Sequence, residues 1–395
     1  MKLGSYKFDR VEFSGSLGDI GTLIPLSIGL IIICGLNFTS VFLIVGLFYI
    51  SVGIYYKLPI PVQPLKLVAA IAIAFPDKIT IPIISATGLI FGLFLIIVAW
   101  TGFIDWMAKF FTKSIVRGVQ FSLGIILITK GIGFIYDPNL FIQKTDEVAN
   151  LINIPLNPLI GIIGIIVTIF LLSSKKFPAA LVLIVAGIGV GFAFNILKIT
   201  SFEFGPIPMN FIYPKFDDFK SALFILVIPQ IPLTLGNAII GTKDAAKTLF
   251  KDTQEVKKVT YRALATSMGL VNIITGFFAG MPLCHGAGGL AAHFRFGART
   301  GGSNIMIGVV FLITAIFFGK IGINLLSIIP NSILGILLLF AGLELALLII
   351  DLKEKEELFI VFIITGISLV TNNMGIAFIA GIFIEKFLNL GRIKI

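Results

Sequence analysis

The sequence is poor in charge, in histidine and in cysteine, and each shortage excludes a class of protein. Charged residues make up 13% of the 395 residues, whereas soluble domains contain about a quarter. The two cysteines lie in apolar surroundings, so no disulfide framework is implied. Two histidines without HExxH-type spacing argue against a metalloenzyme, and no cofactor is expected. The lack of a Walker A sequence excludes ATP-driven transport by this chain alone.

Apolar residues dominate instead, at 57% of the chain, and the mean hydropathy is +1.07. The apolar runs extend along the whole chain, which indicates an all-α polytopic membrane protein. Twelve ordinary spans are predicted near residues 17–36, 38–56, 82–103, 115–134, 156–173, 178–197, 221–241, 260–279, 303–319, 329–350, 358–371 and 374–388. Two shorter segments, at residues 63–75 and 284–296, bring the predicted number of transmembrane segments to fourteen.

The basic residues predict the orientation. With the N-terminus in the cytoplasm, most of the 30 lysines and arginines fall on the cytoplasmic side of the fourteen segments. The even number of spans returns the C-terminus to the same side, so a multi-pass protein of the cell (plasma) membrane with both termini cytoplasmic is expected. This asymmetry accounts for the net charge of +10, and nucleic acid is not an expected partner.

Fourteen segments divide into two sets of seven, predicted as residues 1–200 and 201–395, with no soluble regulatory domain. A repeat of seven spans must insert in inverted orientation the second time. The first span contains Ile24–Gly29 (IPLSIG), and the eighth contains Ile231–Gly236 (IPLTLG) in the corresponding place. The matching order of such segments predicts an inverted repeat.

The two short segments are each third in their half, behind Pro61–Pro64 and Pro282–His285. A helix that begins near mid-membrane leaves its first N–H groups unpaired, and lipid cannot satisfy them. In an inverted pair the two N-termini point at each other, and their N–H groups and positive dipole ends form an anion site. Because residues before proline favour extended geometry, the two preceding pieces could pair as a small ribbon.

Four stretches carry a resemblance to a known family. They are FSGSLGDIGTLIPLSIGL (Phe13–Leu30), PVQPLKLVAA (Pro61–Ala70), LGNAIIGT (Leu235–Thr242) and PLCHGAGGLAAHFRFGARTGG (Pro282–Gly302). The chain resembles the molybdate transporter family, within the larger sulfate permease superfamily. The resemblance implies a seven-plus-seven inverted-repeat carrier with core and gate domains that takes up a tetrahedral oxyanion.

Eight residues are predicted to bind the substrate: Thr22, Gln63, Lys66, Gln230, Asn237, His285, Gly286 and Ala287. Lys66 is a cation at membrane depth, which favours anion contact over a side chain that reaches to the interface. Gln230 and Asn237 face either the cavity or a neighbouring helix. His285 is either a proton-sensitive donor or a structural hydrogen-bond partner of the ribbon.

Asp19 and Glu344 are the predicted coupling residues, and proton symport is favoured because no oxygen-rich sodium site is evident. Asp19 could instead cap the first span, and Glu344 could instead bond across a helix interface. The expected partners are molybdate or a similar oxyanion and the lipid bilayer, with a homodimer left open. Sulfate and tungstate remain alternatives to molybdate. A channel and an integral-membrane enzyme are less favoured readings of the whole chain.

Overall fold

The computed structural model describes residues 2–3, 5–102, 112–141, 150–151, 154–172, 179–194 and 203–389. The predicted boundary between the two halves, at residues 200 and 201, lies outside the described residues. The ends of three predicted spans (82–103, 156–173 and 178–197) and the segment between the last two lie outside them as well.

Helices form most of the described chain. They are α1 (Arg10–Ser16), α2 (Ile20–Ile32), α3 (Phe38–Tyr56), α4 (Lys66–Ala74), α5 (Ile81–Thr101), α6 (Lys113–Tyr136), α7 (Leu156–Leu172), α8 (Ala179–Ala193), α9 (Phe216–Leu249), α10 (Tyr261–Phe277), α11 (Ala287–Arg295), α12 (Gly302–Ser327), α13 (Asn331–Ala346), α14 (Lys355–Thr371) and α15 (Met374–Asn389). Short 3₁₀ turns cover Gln254–Lys258 and Leu347–Asp351. The two-residue strands are β1 (Lys2–Leu3), β2 (Tyr6–Lys7), β3 (Gln63–Pro64), β4 (Asn150–Leu151), β5 (Ile154–Pro155) and β6 (Leu283–Cys284).

Within the described ranges, six helices are long and apolar enough to cross a membrane: α3, α5, α6, α9, α12 and α13 with its 3₁₀ extension. A seventh candidate is the pair α1 and α2, which is bent by 48°. The prediction of a polytopic helical protein is therefore confirmed. Helices α7 and α8 are shorter and equally apolar, so length alone does not give the number of spans.

Glycine contacts hold three pairs of long helices together. The pairs are α3 with α12 at Gly46 and Gly308, α5 with α10 at Gly92 and Gly269, and α6 with α13 at Gly124 and Gly342. A Cβ atom at Gly46 would lie 2.8 Å from the carbonyl oxygen of Gly308, closer than real Cβ atoms approach. In a membrane, close contact of this kind holds helices together through van der Waals packing rather than water exclusion.

The two short helices and their ribbon form at the predicted places. α4 and α11 each contain nine residues. β3 pairs with β6 in antiparallel register, with Gln63 opposite Cys284, which confirms the predicted ribbon. The N–H of Leu65 extends this pairing by donating to the carbonyl of Pro282 at 2.8 Å. The chain therefore enters α4 and α11 from the two opposite ends of one ribbon.

Buried side chains satisfy the extended segment before β3. The carbonyls of Pro59, Ile60, Pro61 and Val62 accept, in that order, from His293 Nδ1 (3.0 Å), Asn304 Nδ2 (2.6 Å), His285 Nδ1 (2.9 Å) and Tyr49 Oη (3.1 Å). A carbonyl only accepts, so Nδ1 of each histidine carries a proton. These bonds replace the water that an extended backbone at membrane depth would otherwise need.

Asn272 holds the other strand of the ribbon. Its Nδ2 donates to the carbonyl of Leu283 at 2.7 Å, and its Oδ1 accepts from the N–H of Leu283 at 3.0 Å. The side chain of Asn272 thus makes the two backbone hydrogen bonds that a neighbouring strand would make with Leu283. Asn272 and Leu283 are both completely buried.

Replacing Asn272 with alanine is expected to lower the free energy of unfolding by about 2–4 kcal/mol, because a buried N–H and a buried carbonyl lose their partners. Denaturant titration in mixed micelles measures this. Asn324→Ala is the matched control, since its half-buried side chain makes no hydrogen bond among the described residues. Equal stability of the two variants would contradict the role given to Asn272.

Candidate functional site

A cavity of about 260 Å³ lies where α2, the starts of α4 and α11, and α13 meet. Five polar side chains line it: Asp19, Thr22, Gln63, Lys66 and Glu344. Two residues of the first turn of α11, Gly288 and Gly289, form another part of the wall. Residues far apart in the sequence therefore converge on one small volume.

The starts of the two short helices contribute positive charge to this cavity. The residues before them, Leu65 and Gly286, provide no side-chain cap, so the first N–H groups depend on other partners. The positive dipole end of each helix lies at the cavity, and Lys66 adds a full charge. N–H groups, helix dipoles and an ammonium group are the components of an anion site.

A buried hydrogen bond connects strand β3, just before α4, to the start of α2. Gln63 Nε2 donates to Asp19 Oδ2 at 2.7 Å, and the exposed fractions of these residues are 1% and 5%. Asp19 occupies the position before α2, but its side chain makes no capping bond there. Gln63 Oε1 is buried without a hydrogen-bond partner among the described residues. The position of the Gln63 amide therefore depends directly on the carboxyl group of Asp19.

Lys66 on α4 and Glu344 on α13 line the same cavity. Lys66 is half-buried, while Glu344 is exposed to the cavity. No ion pair between them lies within 4.0 Å among the described residues. Both charges therefore remain available to a molecule or ion that enters the cavity.

The other predicted site residues do not line this cavity. Gln230 is buried behind α4, where its Oε1 accepts from the N–H of Leu67 at 3.2 Å and its Nε2 donates to Thr234 at 3.0 Å. Asn237 and Ala287 are half-buried outside the cavity lining. Gly286 lies against the side chain of Gln63.

His285 uses both ring nitrogens away from the cavity. Nδ1 bonds to the carbonyl of Pro61, and Nε2 lies 2.9 Å from Oγ of Ser267. Its ring stacks on Phe48 with a centroid distance of 5.3 Å. His285 therefore makes the structural hydrogen bond to the ribbon segment, which was the alternative to a role as donor at the anion site.

A second cavity, of about 210 Å³, continues from the first. The two share four lining residues: Gly18, Gly21, Ala341 and Glu344. The second cavity runs between α2 and the helices α7, α8 and α13. It reaches Ser14 in the last turn of α1 and Phe296 directly after α11. It gives the polar cavity a route towards one face of the protein.

Gly289→Ala is expected to weaken oxyanion binding at least tenfold. A Cβ atom there would lie 2.5 Å from Gln63 Nε2 and 2.6 Å from Asp19 Oδ2, so either the hydrogen bond or the position of α11 must change. Losing a bond to a charged group costs about 1.5–3 kcal/mol. Calorimetric titration with molybdate measures the affinity. Gly366→Ala in α14, whose Cβ would meet nothing within 4 Å, is the control, and equal affinity in the two variants would contradict the prediction.

The sequence is similar to known transporters along most of its length. A family profile described as "Molybdate transporter of MFS superfamily" matches residues 11–127 and 222–345. Molybdate transporter 2 of Arabidopsis thaliana is 30% identical over 412 residues, which cover 96% of this chain and 87% of that protein. Molybdate transporter 1 of the same plant is 28% identical, and the match covers 98% of this chain and 91% of that protein.

Solved structures show the same fold at low sequence identity. The transmembrane domain of the cyanobacterial bicarbonate transporter BicA has a TM-score of 0.65 at 17% identity, and the match covers 93% of this chain and 96% of that one. Murine Slc26a9, an anion transporter captured in the inward-facing state, has a TM-score of 0.68 at 15% identity, over 100% of this chain and 70% of that one. The fold, the profile and the curated relatives agree on a multi-pass membrane protein of transporter architecture. The chain belongs to the molybdate transporter family.

Proposed function

We propose that this chain is a secondary active transporter that takes up molybdate, bound in the 260 Å³ cavity. The observation that supports this best is the convergence of Lys66 with the starts of α4 and α11 on one cavity. A tetrahedral dianion offers four oxygens to N–H donors on several sides, and Thr22 and Gln63 add polar contacts. Sulfate is the alternative substrate, because its shape and charge are the same.

The charges of the cavity favour proton symport. With Asp19 and Glu344 both ionised, they outweigh the single positive charge of Lys66, and a dianion is repelled. Protonation of both carboxyl groups leaves a net charge of +1, which attracts it. Two protons carried with one dianion also make transport electrically neutral. Asp19 and Glu344 are therefore proposed as the coupling residues, with the Asp19–Gln63 bond linking proton and anion.

Fourteen spans in a seven-plus-seven inverted repeat are proposed for the membrane architecture. In such a repeat, each span has a counterpart seven places away in the other half. The counterparts of α3 and α12, which are spans 2 and 11, are α10 and α5, which are spans 9 and 4, and these two helices also pack on each other. The pair α6–α13, spans 5 and 12, and the ribbon β3–β6 each convert into themselves. Such an exchange of helix pairs is expected from two-fold pseudosymmetry.

The core and gate domains are proposed to meet at the cavity. Helices α2, α4 and α11 would belong to the core, and α6 to α8 with α13 to α15 to the gate. The continuous second cavity, between α2 and the gate helices, would then be the route to the cytoplasm. Movement of the core against the gate would expose the same site to the two sides in turn.

Both termini are proposed to be cytoplasmic in the cell membrane. Three contacts join residues assigned to the same side: Lys258 with Tyr55 and Arg117 with Asp351 on the inner side, and Lys320 with Glu203 on the outer side. This agreement supports the grouping of these segments by side, and the excess of basic residues then indicates which side is cytoplasmic. A homodimer remains a prediction.

Uptake into proteoliposomes tests the proposed function. We expect radioactive molybdate to accumulate under an inward pH gradient and to be displaced by unlabelled molybdate and tungstate at lower concentrations than by sulfate. If sulfate displaces the label at a lower concentration than unlabelled molybdate does, sulfate and not molybdate is the preferred substrate. Failure of both anions to enter liposomes that contain folded protein would contradict oxyanion transport.

A further inference from the structure

An apolar groove of about 310 Å³ runs between α3 and α10 on the exposed surface of the molecule. It exists because each helix packs closely on a different partner, α3 on α12 and α10 on α5. Leu47, Tyr55 and Leu270 form walls whose exposed fractions are 50%, 54% and 54%. The groove shares no lining residue with the polar cavity and plays no part in the proposed transport site.

The floor of the groove presents apolar surface. Val52, Tyr56 and Val271 lie there with exposed fractions of 2%, 0% and 4%. The hydroxyl of Tyr56 is already within 3.2 Å of Ser267 Oγ, which itself lies 2.9 Å from His285. The polar atoms of the floor are therefore satisfied inside the protein. An occupant finds hydrocarbon contacts along the groove.

One end of the groove is basic and aromatic. The Nζ of Lys258 donates to the carbonyl of Tyr55 at 3.1 Å, directly at the groove wall. Next to the groove, at the start of α10, the guanidinium of Arg262 lies 3.7 Å from the ring centroid of Trp100 on α5 and does not line the groove. Residues 251–262 contain four basic and two acidic residues. Basic and aromatic side chains together mark the level of lipid headgroups.

We propose that this groove is a binding site for one anionic phospholipid, with an acyl chain between α3 and α10 and the phosphate at Lys258. A zwitterionic lipid would fill the groove equally well but would gain less from the ammonium group of Lys258. The site does not depend on which anion the protein transports.

Native mass spectrometry of the purified protein tests the site, with phosphatidylglycerol and phosphatidylcholine of identical acyl chains. The wild type is expected to retain one phosphatidylglycerol at about tenfold lower lipid concentration than phosphatidylcholine. Leu270→Trp, which fills the groove, is expected to weaken retention of both lipids at least tenfold. Leu93→Trp is the matched control, since Leu93 has an exposed fraction of 56% on the lipid-facing side of α5.

The variant Lys258→Gln tests the headgroup. It should bind both lipids with equal strength, and soluble glycerol 3-phosphate should not displace phosphatidylglycerol from the wild type. Equal retention by Leu270→Trp and Leu93→Trp would overturn the groove as the site. An unchanged preference in Lys258→Gln would overturn the headgroup assignment. A dimer mass that disappears in Leu270→Trp alone would show that a second copy of the chain occupies the groove instead.

Discussion

Replacing Lys66 with alanine is expected to weaken molybdate binding by about ten- to a hundredfold or more. Lys66 lies at the start of α4 and lines the polar cavity, where it is the only cation among the lining residues of the described chain. A charge-assisted hydrogen bond contributes about 1.5–3 kcal/mol, and each 1.4 kcal/mol changes an affinity tenfold. Equilibrium binding to detergent-solubilised protein measures the effect without any contribution from the transport cycle.

Two substitutions control for the loss of positive charge. Lys247 is exposed on α9 outside the cavity lining, so Lys247→Ala should leave the affinity unchanged. Arg299→Ala should lower stability rather than affinity, because its guanidinium donates to the carbonyls of Phe294 and Ala298 at the end of α11. Equal, small effects of Lys66→Ala and Lys247→Ala on binding would mean that Lys66 has a structural role.

The sequence predicted the short helices well because their signals are local. Proline and glycine end the helical pattern before α4 and α11, and nine residues cannot cross a bilayer. The ribbon was also predictable, since two extended pieces at membrane depth need partners for their backbone groups. Gln63 and Lys66 follow from their position beside these breaks. Their presence in the same cavity as Glu344 depends on packing between distant segments, which no local pattern encodes.

The roles of His285, Gln230 and Asn272 illustrate what local pattern could not resolve. A histidine at a helix break fits a ligand site and a structural bond equally well, and only the position of Pro61 distinguishes them. Gln230 reaches the N–H of Leu67 across 163 residues of sequence. One general signal was available: four successive carbonyls at Pro59–Val62 need donors, and the chain has few buried polar side chains to supply them. Counting those donors would have identified His293 and Asn304.

Asp19→Asn is expected to turn electrically neutral uptake into uptake opposed by the membrane potential. Asparagine can still accept from Gln63, so the geometry of the bond at 2.7 Å can be kept, but it cannot carry a proton. One proton would then accompany each dianion, leaving one net negative charge. A negative-inside potential opposes this charge by about 2.3 kcal/mol per 100 mV. The steady-state accumulation ratio should therefore fall about fiftyfold at 100 mV, while the wild type should be unaffected.

Proteoliposomes with a fixed inward pH gradient and a potassium–valinomycin potential measure this difference. Molybdate binding by the wild type should tighten as the pH falls, because protonation removes negative charge from the cavity, and Asp19→Asn should lose part of that dependence. Glu344→Gln should behave in the same way if Glu344 carries the second proton, whereas Asp252→Asn, at an exposed loop position, should match the wild type. Neutral, pH-driven uptake by Asp19→Asn would remove Asp19 from the coupling mechanism. Uptake that follows a sodium gradient and ignores the pH gradient would replace proton coupling altogether, while the anion site at Lys66 would still stand on its own binding test.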